Sequence, residues 1–253
     1  MKNGLVSVIM PNYNTGDYVY ESVLSVLDQT YKNIELIIVD DKSSDNSINI
    51  LRGIASKDNR VKLVFLKNNG GAANARNVAI KKSNGQYISF IDSDDLWSPR
   101  KLEKQIDYMN ENNYTFVATY YDYIDFEGES LDRIIKGRLR RNYWQLLKDC
   151  PGNSTVIYNA NKLGKNYVPL IRRRNDYLMW LQVIKKAHYL NIFPEILVHY
   201  RIRPDSLSRK KRELVQYHWK IYREYEHLNY FVSIYLTSYY IFRGVFRKIF
   251  NRT

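Results

Sequence analysis

Three carboxylates fall within four residues at Asp92, Asp94 and Asp95, directly behind an apolar run at residues 87–91. Like charges this close repel one another, and folding alone gains nothing from them. A divalent cation reverses that penalty. Magnesium or manganese takes hard oxygen ligands and bridges a few carboxylates to substrate phosphates. The alternative is a solvated acidic turn closed by Ser93 and Asp94. The elements around this stretch separate the two readings.

The first hundred residues alternate strand and helix patterns. Residues 6–10 form a short apolar run closed by Pro11. Val19, Val23, Val26 and Leu27 then recur at helical spacing. Residues 34–39 read as a second strand, ending at Asp40-Asp41. Ser43, Ser44 and Asp45 supply helix-capping chemistry, followed by Ile48, Leu51, Ile54 and Ala55 on one face. A third strand at 61–66 runs into Lys67-Asn68-Asn69-Gly70-Gly71. Residues 72–82 read as helix, and residues 87–91 as the fourth strand. Ser98-Pro99 opens another helix, with Pro at its first position.

This alternation predicts an α/β fold, with a mostly parallel sheet between layers of helices. The polar residues at 12–14, 40–41, 68–71 and 92–95 each follow the carboxyl end of a strand. Ligands bind at that edge in open α/β sheets, so the acidic stretch reads as one wall of a site. The second half is less regular. Residues 117–124 read as strand, Glu127-Gly128 as a turn, 142–147 as helix and 154–158 as strand. A helix opened by Asp176 carries Leu178, Leu181, Ile184 and Ala187 on one face, and a last strand covers 196–201.

Composition narrows the class. With 253 residues, 45% of them hydrophobic, the chain is long enough for one large folded domain and a small appendage. Cys150 is the only cysteine, so an internal disulfide and a cysteine-built zinc site are excluded. The start leads straight into a strand-like run, without the long apolar core of a signal peptide. The net charge is +13. Residues 197–253 hold 12 Lys or Arg against 4 Asp or Glu. A basic tail attracts nucleic acid or an anionic membrane.

Four motifs now stand in order: Val6-Ser7-Val8-Ile9-Met10-Pro11-Asn12-Tyr13-Asn14, Ile38-Val39-Asp40-Asp41-Lys42-Ser43-Ser44-Asp45, Gly70-Gly71-Ala72-Ala73-Asn74-Ala75-Arg76-Asn77, and residues 90–96. Together they resemble the family 2 glycosyltransferases, closely over the first hundred residues and more loosely to about Ser208. The resemblance implies the GT-A fold, a nucleotide-sugar donor and usually an inverting transfer. Gln216-Tyr217-His218-Trp219 lacks the arginine of the processive members' Gln-x-x-Arg-Trp motif, so transfer of a single sugar is expected. The resemblance divides the chain into a domain at 1–208, with a donor half at 1–98 and an acceptor half at 99–208, and a tail at 209–253.

The resemblance also implies roles. Asp40 accepts the imide proton of uracil, and Asp41 either joins it or orients the loop. Tyr13 either stacks on the base or packs against the first helix; Pro11 lies beside it. Gly70 and Gly71 let backbone approach the donor, at a helix start whose free amides suit an anion. Arg76 reaches the diphosphate or ribose, or pairs with the acidic motif. Asp94 is the main ligand of Mn2+ or Mg2+. Asp92 contacts the ribose or the metal, Ser93 lies on the nucleotide side, and Asp95 supports them. Asn175-Asp176-Tyr177 stands where the family has Glu-Asp and an aromatic. Asp176 therefore inherits the general-base role, against a plain helix N-cap. Arg172-Arg173-Arg174 either meets an acceptor phosphate or is solvated. Arg203 helps close over the diphosphate, in a loop with Ser206 and Ser208.

In the tail, Phe231, Ile234, Tyr235, Ile241, Phe242, Val245 and Ile249 share a helical face. The uncharged run at 228–242 is shorter than the roughly 20 residues of a membrane span. A basic, aromatic, amphipathic helix suits an anionic membrane interface, and folding back on the catalytic domain is the other reading. The family resemblance implies a UDP-sugar donor and a saccharide acceptor, expected to be linked to undecaprenyl diphosphate as in surface polysaccharide assembly. Together with the basic aromatic tail, this leads to the expectation of a cytoplasmic protein held peripherally on the inner membrane face. The rivals are transfer to a polyprenyl phosphate, a non-catalytic sugar-nucleotide-binding subunit, and a nucleic-acid binder. The last explains none of the acidic motifs, and no nucleic-acid partner is expected.

Overall fold

The computed structural model describes residues 1–203 and 211–250. Its first half is four strands and three helices in strict alternation: β1 (Lys2–Asn12), α1 (Val19–Leu27), β2 (Ile34–Asp40), α2 (Ser47–Ala55), β3 (Val61–Phe65), α3 (Gly71–Lys82) and β4 (Gly85–Phe90). The order in the sheet is β3-β2-β1-β4, all parallel. Period-two alternation explains the layers. Val6, Val8 and Met10 point to one face, where Val19, Val23 and Val26 of α1 pack; Ile9 points to the other, against Ala75, Ala79 and Ile80 of α3.

The second half extends the sheet through β5 (Leu96–Trp97), α4 (Lys101–Glu111), β6 (Phe116–Ile124), β7 (Ser130–Ile135), β8 (Arg140–Arg141), α5 (Tyr143–Leu146), β9 (Ile157–Asn159), α6 (Ala160–Leu163), α7 (Asn175–Ala187) and β10 (Leu190–Arg201). Strand β9 lies antiparallel between β4 and β6, and β10 runs parallel to β6. The carboxyl ends of β6 and β10 therefore reach the same edge as those of β1 to β4. Helix α7 is buried along most of its length, with Trp180 edge-on to Phe90 at 5.1 Å between ring centroids.

Three local expectations need correction. Pro11 does not end β1, which runs on to Asn12. The Ile9 carbonyl faces the end of β4, accepting from Ile91 at 3.1 Å. Pro11, two residues on, points the same way beyond that strand's end, so its missing N–H costs no ladder bond. Pro99 is not the first residue of a helix. Its carbonyl accepts from the Thr30 amide at 2.9 Å, and α4 begins only at Lys101. Residues 153–155 form a 3-10 turn ahead of β9 rather than strand. The short strands β5, β7 and β8 gave no readable alternation.

The chain continues as α8 (Lys211–Lys220), a π-helical turn (Ile221–Tyr225) and α9 (Tyr230–Phe250). Ile221, Tyr222 and Leu236 join the same buried cluster as α3 and α7. The boundary drawn at 208/209 and the hydroxyls of Ser206 and Ser208 lie outside the described residues.

Candidate active site

Each polar strand end is tied to its neighbour. The Asp40 carboxylate, 1% exposed, accepts from Asn12 Nδ2 at 2.7 Å, the Ser43 amide at 2.9 Å and Ser43 Oγ at 2.5 Å. Asp41 accepts from the amides of Gly70 (2.8 Å) and Gly71 (2.6 Å). The α3 start is therefore not free for an anion at those two positions: the Asp41 side chain already answers them. Gly71 needs its glycine, with φ at +81°, and a Cβ at Gly70 would meet Asn74 Nδ2 at 2.6 Å. Tyr13 is 50% exposed at the rim, which leaves its ring open for stacking, and Pro11 is buried beneath it in β1.

The acidic stretch leaves β4 among cationic and amide partners. Asp92 Oδ1 accepts from Arg76 Nη2 at 2.7 Å and Asn153 Nδ2 at 3.0 Å. Ser93 is buried and accepts from Thr15 Oγ1 at 3.1 Å. Asp94 pairs with Arg203 Nε at 2.9 Å. Asp95 turns inward, holding the hydroxyl of Ser154 and the Arg201 amide. Arg201 is the clamp of this region. Its Nε donates to the Asp94 carbonyl at 3.0 Å, Nη1 to the Phe126 carbonyl at 3.0 Å, and Nη2 to Glu21 at 2.8 Å.

The two halves meet at Arg76. Its guanidinium is buried on α3 and forks, one nitrogen to Asp92 and the other to Asn175 Oδ1 at 3.0 Å. Asn175, which replaces the family's glutamate, opens α7, and Asp176 is the next residue. The acidic motif and Asp176, far apart in sequence, thus share one arginine. Burial pulls the Arg76 pKa down, and the fields of Asp92 and Asp176 more than reverse it. Among the described residues no side chain donates a hydrogen bond to the Asp176 carboxylate, which is half-buried.

Of the three arginines before it, only Arg172 is exposed. Arg173 is buried against Glu213 of α8 at 2.9 Å. Arg174, held in the left-handed region at φ +58°, donates to the Tyr240 hydroxyl of α9 at 3.0 Å. Solvation therefore describes Arg172 alone, and its neighbours anchor the C-terminal helices.

Electrostatics sets this edge apart. Burial, opposed by Arg203 and reinforced by Asp92, pushes the Asp94 carboxyl up to about 6. Burial and then repulsion from Asp94 and Asp92 raise Asp95 well above the carboxylate range. Tyr200, packed against Tyr123 at 5.5 Å, is raised by burial and then by the same three carboxylates. Carboxyls raised in this way by burial and mutual repulsion mark this edge as a candidate functional site.

A sequence profile of Glycosyl transferase family 2 matches residues 7–166. The chain belongs to glycosyl transferase family 2. It is 39% identical over 227 residues to the putative teichuronic acid biosynthesis glycosyltransferase TuaG of Bacillus subtilis, covering 89% of this chain and 90% of that protein. It is 34% identical over 253 residues to the UDP-Glc:alpha-D-GlcNAc-diphosphoundecaprenol beta-1,3-glucosyltransferase WfgD of Escherichia coli, covering 99% and 98%. Among solved structures it superposes on the mannosyltransferase PcManGT of Pyrobaculum calidifontis, in complex with GDP-Man and Mn2+. The TM-score is 0.65 at 18% identity, over 85% of this chain and 62% of that one. The fold is GT-A, and the protein is a glycosyltransferase.

The side chains suit a hard divalent cation only in company with a substrate. Asp94 and Asp92 supply carboxylate oxygen, yet no group of three or more His, Cys, Asp or Glu among the described residues could hold a metal alone. Diphosphate oxygens would complete the shell. Two buried polar atoms beside these carboxylates, Arg76 Nε and Asn153 Oδ1, also lack a hydrogen-bond partner among the described residues.

Several residues of the site had no role assigned from the sequence: Asn12, Asn153, Ser154, Tyr200 and Arg201. Asn12 lies inside a quoted motif and could have been found there. Arg201 stood two residues from a named arginine. Asn153 and Ser154 sit in a turn with no pattern of its own.

Proposed function

We propose that this glycosyltransferase moves a single hexose or N-acetylhexosamine, with inversion, from a UDP-sugar to a saccharide carried on undecaprenyl diphosphate, in surface polysaccharide assembly. The observation that carries it is the Arg76 fork, which joins Asp92 of the acidic motif to Asn175, the residue before Asp176. The near-full-length likeness to WfgD and TuaG supports the donor, the acceptor and the pathway class.

In this reading Tyr13 offers its exposed ring to the uracil. Asp40, whose oxygens already hold Asn12 and Ser43, shapes the base pocket, and Asp41 fixes the Gly70-Gly71 loop against the ribose and phosphates. Ser93 and Asp92 line the ribose side. Asp94 and Asp92 would hold Mn2+ or Mg2+, whose chemistry when bound is to neutralise the leaving diphosphate. Arg76 and Arg203 add fixed positive charge there.

The acceptor hydroxyl attacks the anomeric carbon from the Asp176 side. Its proton passes to the Asp176 carboxylate as the bond from carbon to phosphate oxygen breaks. The bonding pair leaves with UDP, where the site's positive charge is concentrated. Asp176 is suited to this task because no side chain among the described residues occupies its oxygens.

The test is Asp176→Asn, assayed with UDP-glucose and a short-chain lipid diphosphate-linked GlcNAc. Loss of a positioned general base predicts a fall in kcat of about 10²–10⁴, while UDP-glucose still raises the Tm as it does for wild type. Unchanged turnover would remove Asp176 from the role.

A further inference from the structure

Helix α9 has two faces, and the apolar one is turned outward. Its inner face is held to the catalytic domain. Ser233 and Leu236 are buried, Tyr240 accepts from Arg174, and Arg243 pairs with Asp149 at 2.6 Å. The opposite face carries Phe231, Ile234, Ile241, Phe242 and Phe246, with Phe231 85% and Phe242 66% exposed. These positions repeat at helical spacing, so they form one stripe. Folding back therefore leaves Phe231, Ile234, Ile241 and Phe242 exposed, while Tyr235 of the same helix is held by Lys148 Nζ at 2.9 Å. A contiguous apolar stripe of this kind marks an interaction surface.

Charge selects the occupant. From His227 to the C-terminus the sequence has Arg243, Arg247, Lys248 and Arg252 and no Asp or Glu. Two copies of this helix would set like charges against each other with no acid to pair them. An anionic lipid surface is complementary. Aromatic and cationic groups frame the stripe in the manner of an interfacial helix. Arg223 lies over the exposed Tyr230 ring at 3.9 Å, and Lys148 over Tyr235 at 4.8 Å. No helix among the described residues is long and apolar enough to cross a membrane, so the helix would lie along it.

We propose that the outward face of α9 docks this enzyme on an anionic bilayer, through Phe231, Ile234, Ile241 and Phe242. The inference rests on the lipid-linked acceptor of the proposed function and gives it a geometry. Tyr240, on the inner face, holds Arg174, two residues from Asp176. The bilayer surface would thus lie about one helix diameter, roughly 10 Å, from the contact that anchors the start of α7. An acceptor diphosphate at the membrane surface would meet the base without leaving its lipid.

The experiment is co-sedimentation of the full chain with vesicles of phosphatidylcholine alone or with about 30% phosphatidylglycerol. Wild type should bind the anionic vesicles, lose binding as salt rises, and ignore the zwitterionic ones. Phe231→Glu with Phe242→Glu should lower binding by roughly tenfold or more, while Tm and transfer to a water-soluble acceptor match wild type. Arg243 is left intact because it holds the helix in place. Retained vesicle binding by the double variant would overturn the proposal. So would wild type that ignores anionic vesicles, or that forms a dimer which the double variant breaks. Vesicle binding needs no turnover, so loss of activity in Asp176→Asn and failure to bind lipid are separate results.

Discussion

Removing Arg76 should loosen the joint between the two halves of the enzyme. The guanidinium is buried, and it makes two hydrogen bonds, to Asp92 at 2.7 Å and Asn175 at 3.0 Å. Truncating one partner of a buried ion pair costs about 3–5 kcal/mol. The Asp92 side chain is 29% exposed and keeps Asn153, so the lower part of that range applies. The lost bond to Asn175 adds about 1 kcal/mol. Arg76→Ala should therefore cost about 4 kcal/mol. Arg76→Lys keeps the charge but not the fork and should cost about half of that. Urea unfolding of Arg76→Ala, Asp92→Asn and the double variant gives the coupling directly. The two single losses should overlap by about 2 kcal/mol, because each removes the same contact. A cost below about 1 kcal/mol for Arg76→Ala, or additivity within about 0.5 kcal/mol, would refute the joint.

Two further perturbations test the electrostatics. Asp94 is raised from 3.8 to about 6 by burial. A carboxyl raised on folding contributes stability that is fully present below its unfolded value and lost as pH climbs through about 6. The metal-free protein should lose Tm between pH 4 and 7, Mn2+ with UDP should restore it above pH 6, and Asp94→Asn should flatten both responses. A pH-independent Tm in wild type would contradict the shift. Lys101 is fully buried, over the Trp97 ring at 3.8 Å and donating to Gln105 at 2.7 Å. Burial lowers its pKa well below the ordinary lysine value, and no carboxylate among the described residues answers it. Its depressed pKa makes wild type gain stability as pH rises toward about 10.5. Lys101→Met should melt higher than wild type at pH 7 and lose that alkaline gain; a lower Tm would show that the ring and Gln105 more than offset the buried charge.

The donor half was legible because its signals are local. Strand alternation, helical spacing and a polar break at each carboxyl end are all written in neighbouring residues, and parallel packing of such units has few solutions. The acceptor half was harder. Strands β5 and β8 have two residues each, too few for a period, and β9 finds its place only by pairing with strands far away in sequence. Residues 172–174 show the same limit. A run of arginines reads as solvated or phosphate-seeking, yet Arg173 and Arg174 are consumed by Glu213 and Tyr240, contacts that exist only once α8 and α9 fold back.

The residue types and spacing by themselves determined the sheet, the edge that carries the chemistry and the family to which the chain belongs. Those properties follow from short-range patterns and from motifs read one stretch at a time. Tertiary structure alone decided which polar groups are already spent. Asp41 answers the amides of Gly70 and Gly71, and Asp40 is held by Asn12 and Ser43. It also decided that Arg76 joins Asp92 to Asn175, which brings Asp176 to the acidic motif from about eighty residues away. Hydrogen bonds and charge fields act through space over a few ångströms, and a sequence has no coordinate for that distance. The same holds for α9: its pattern shows an apolar face, but only packing shows that Phe231, Ile234, Ile241 and Phe242 were left outside.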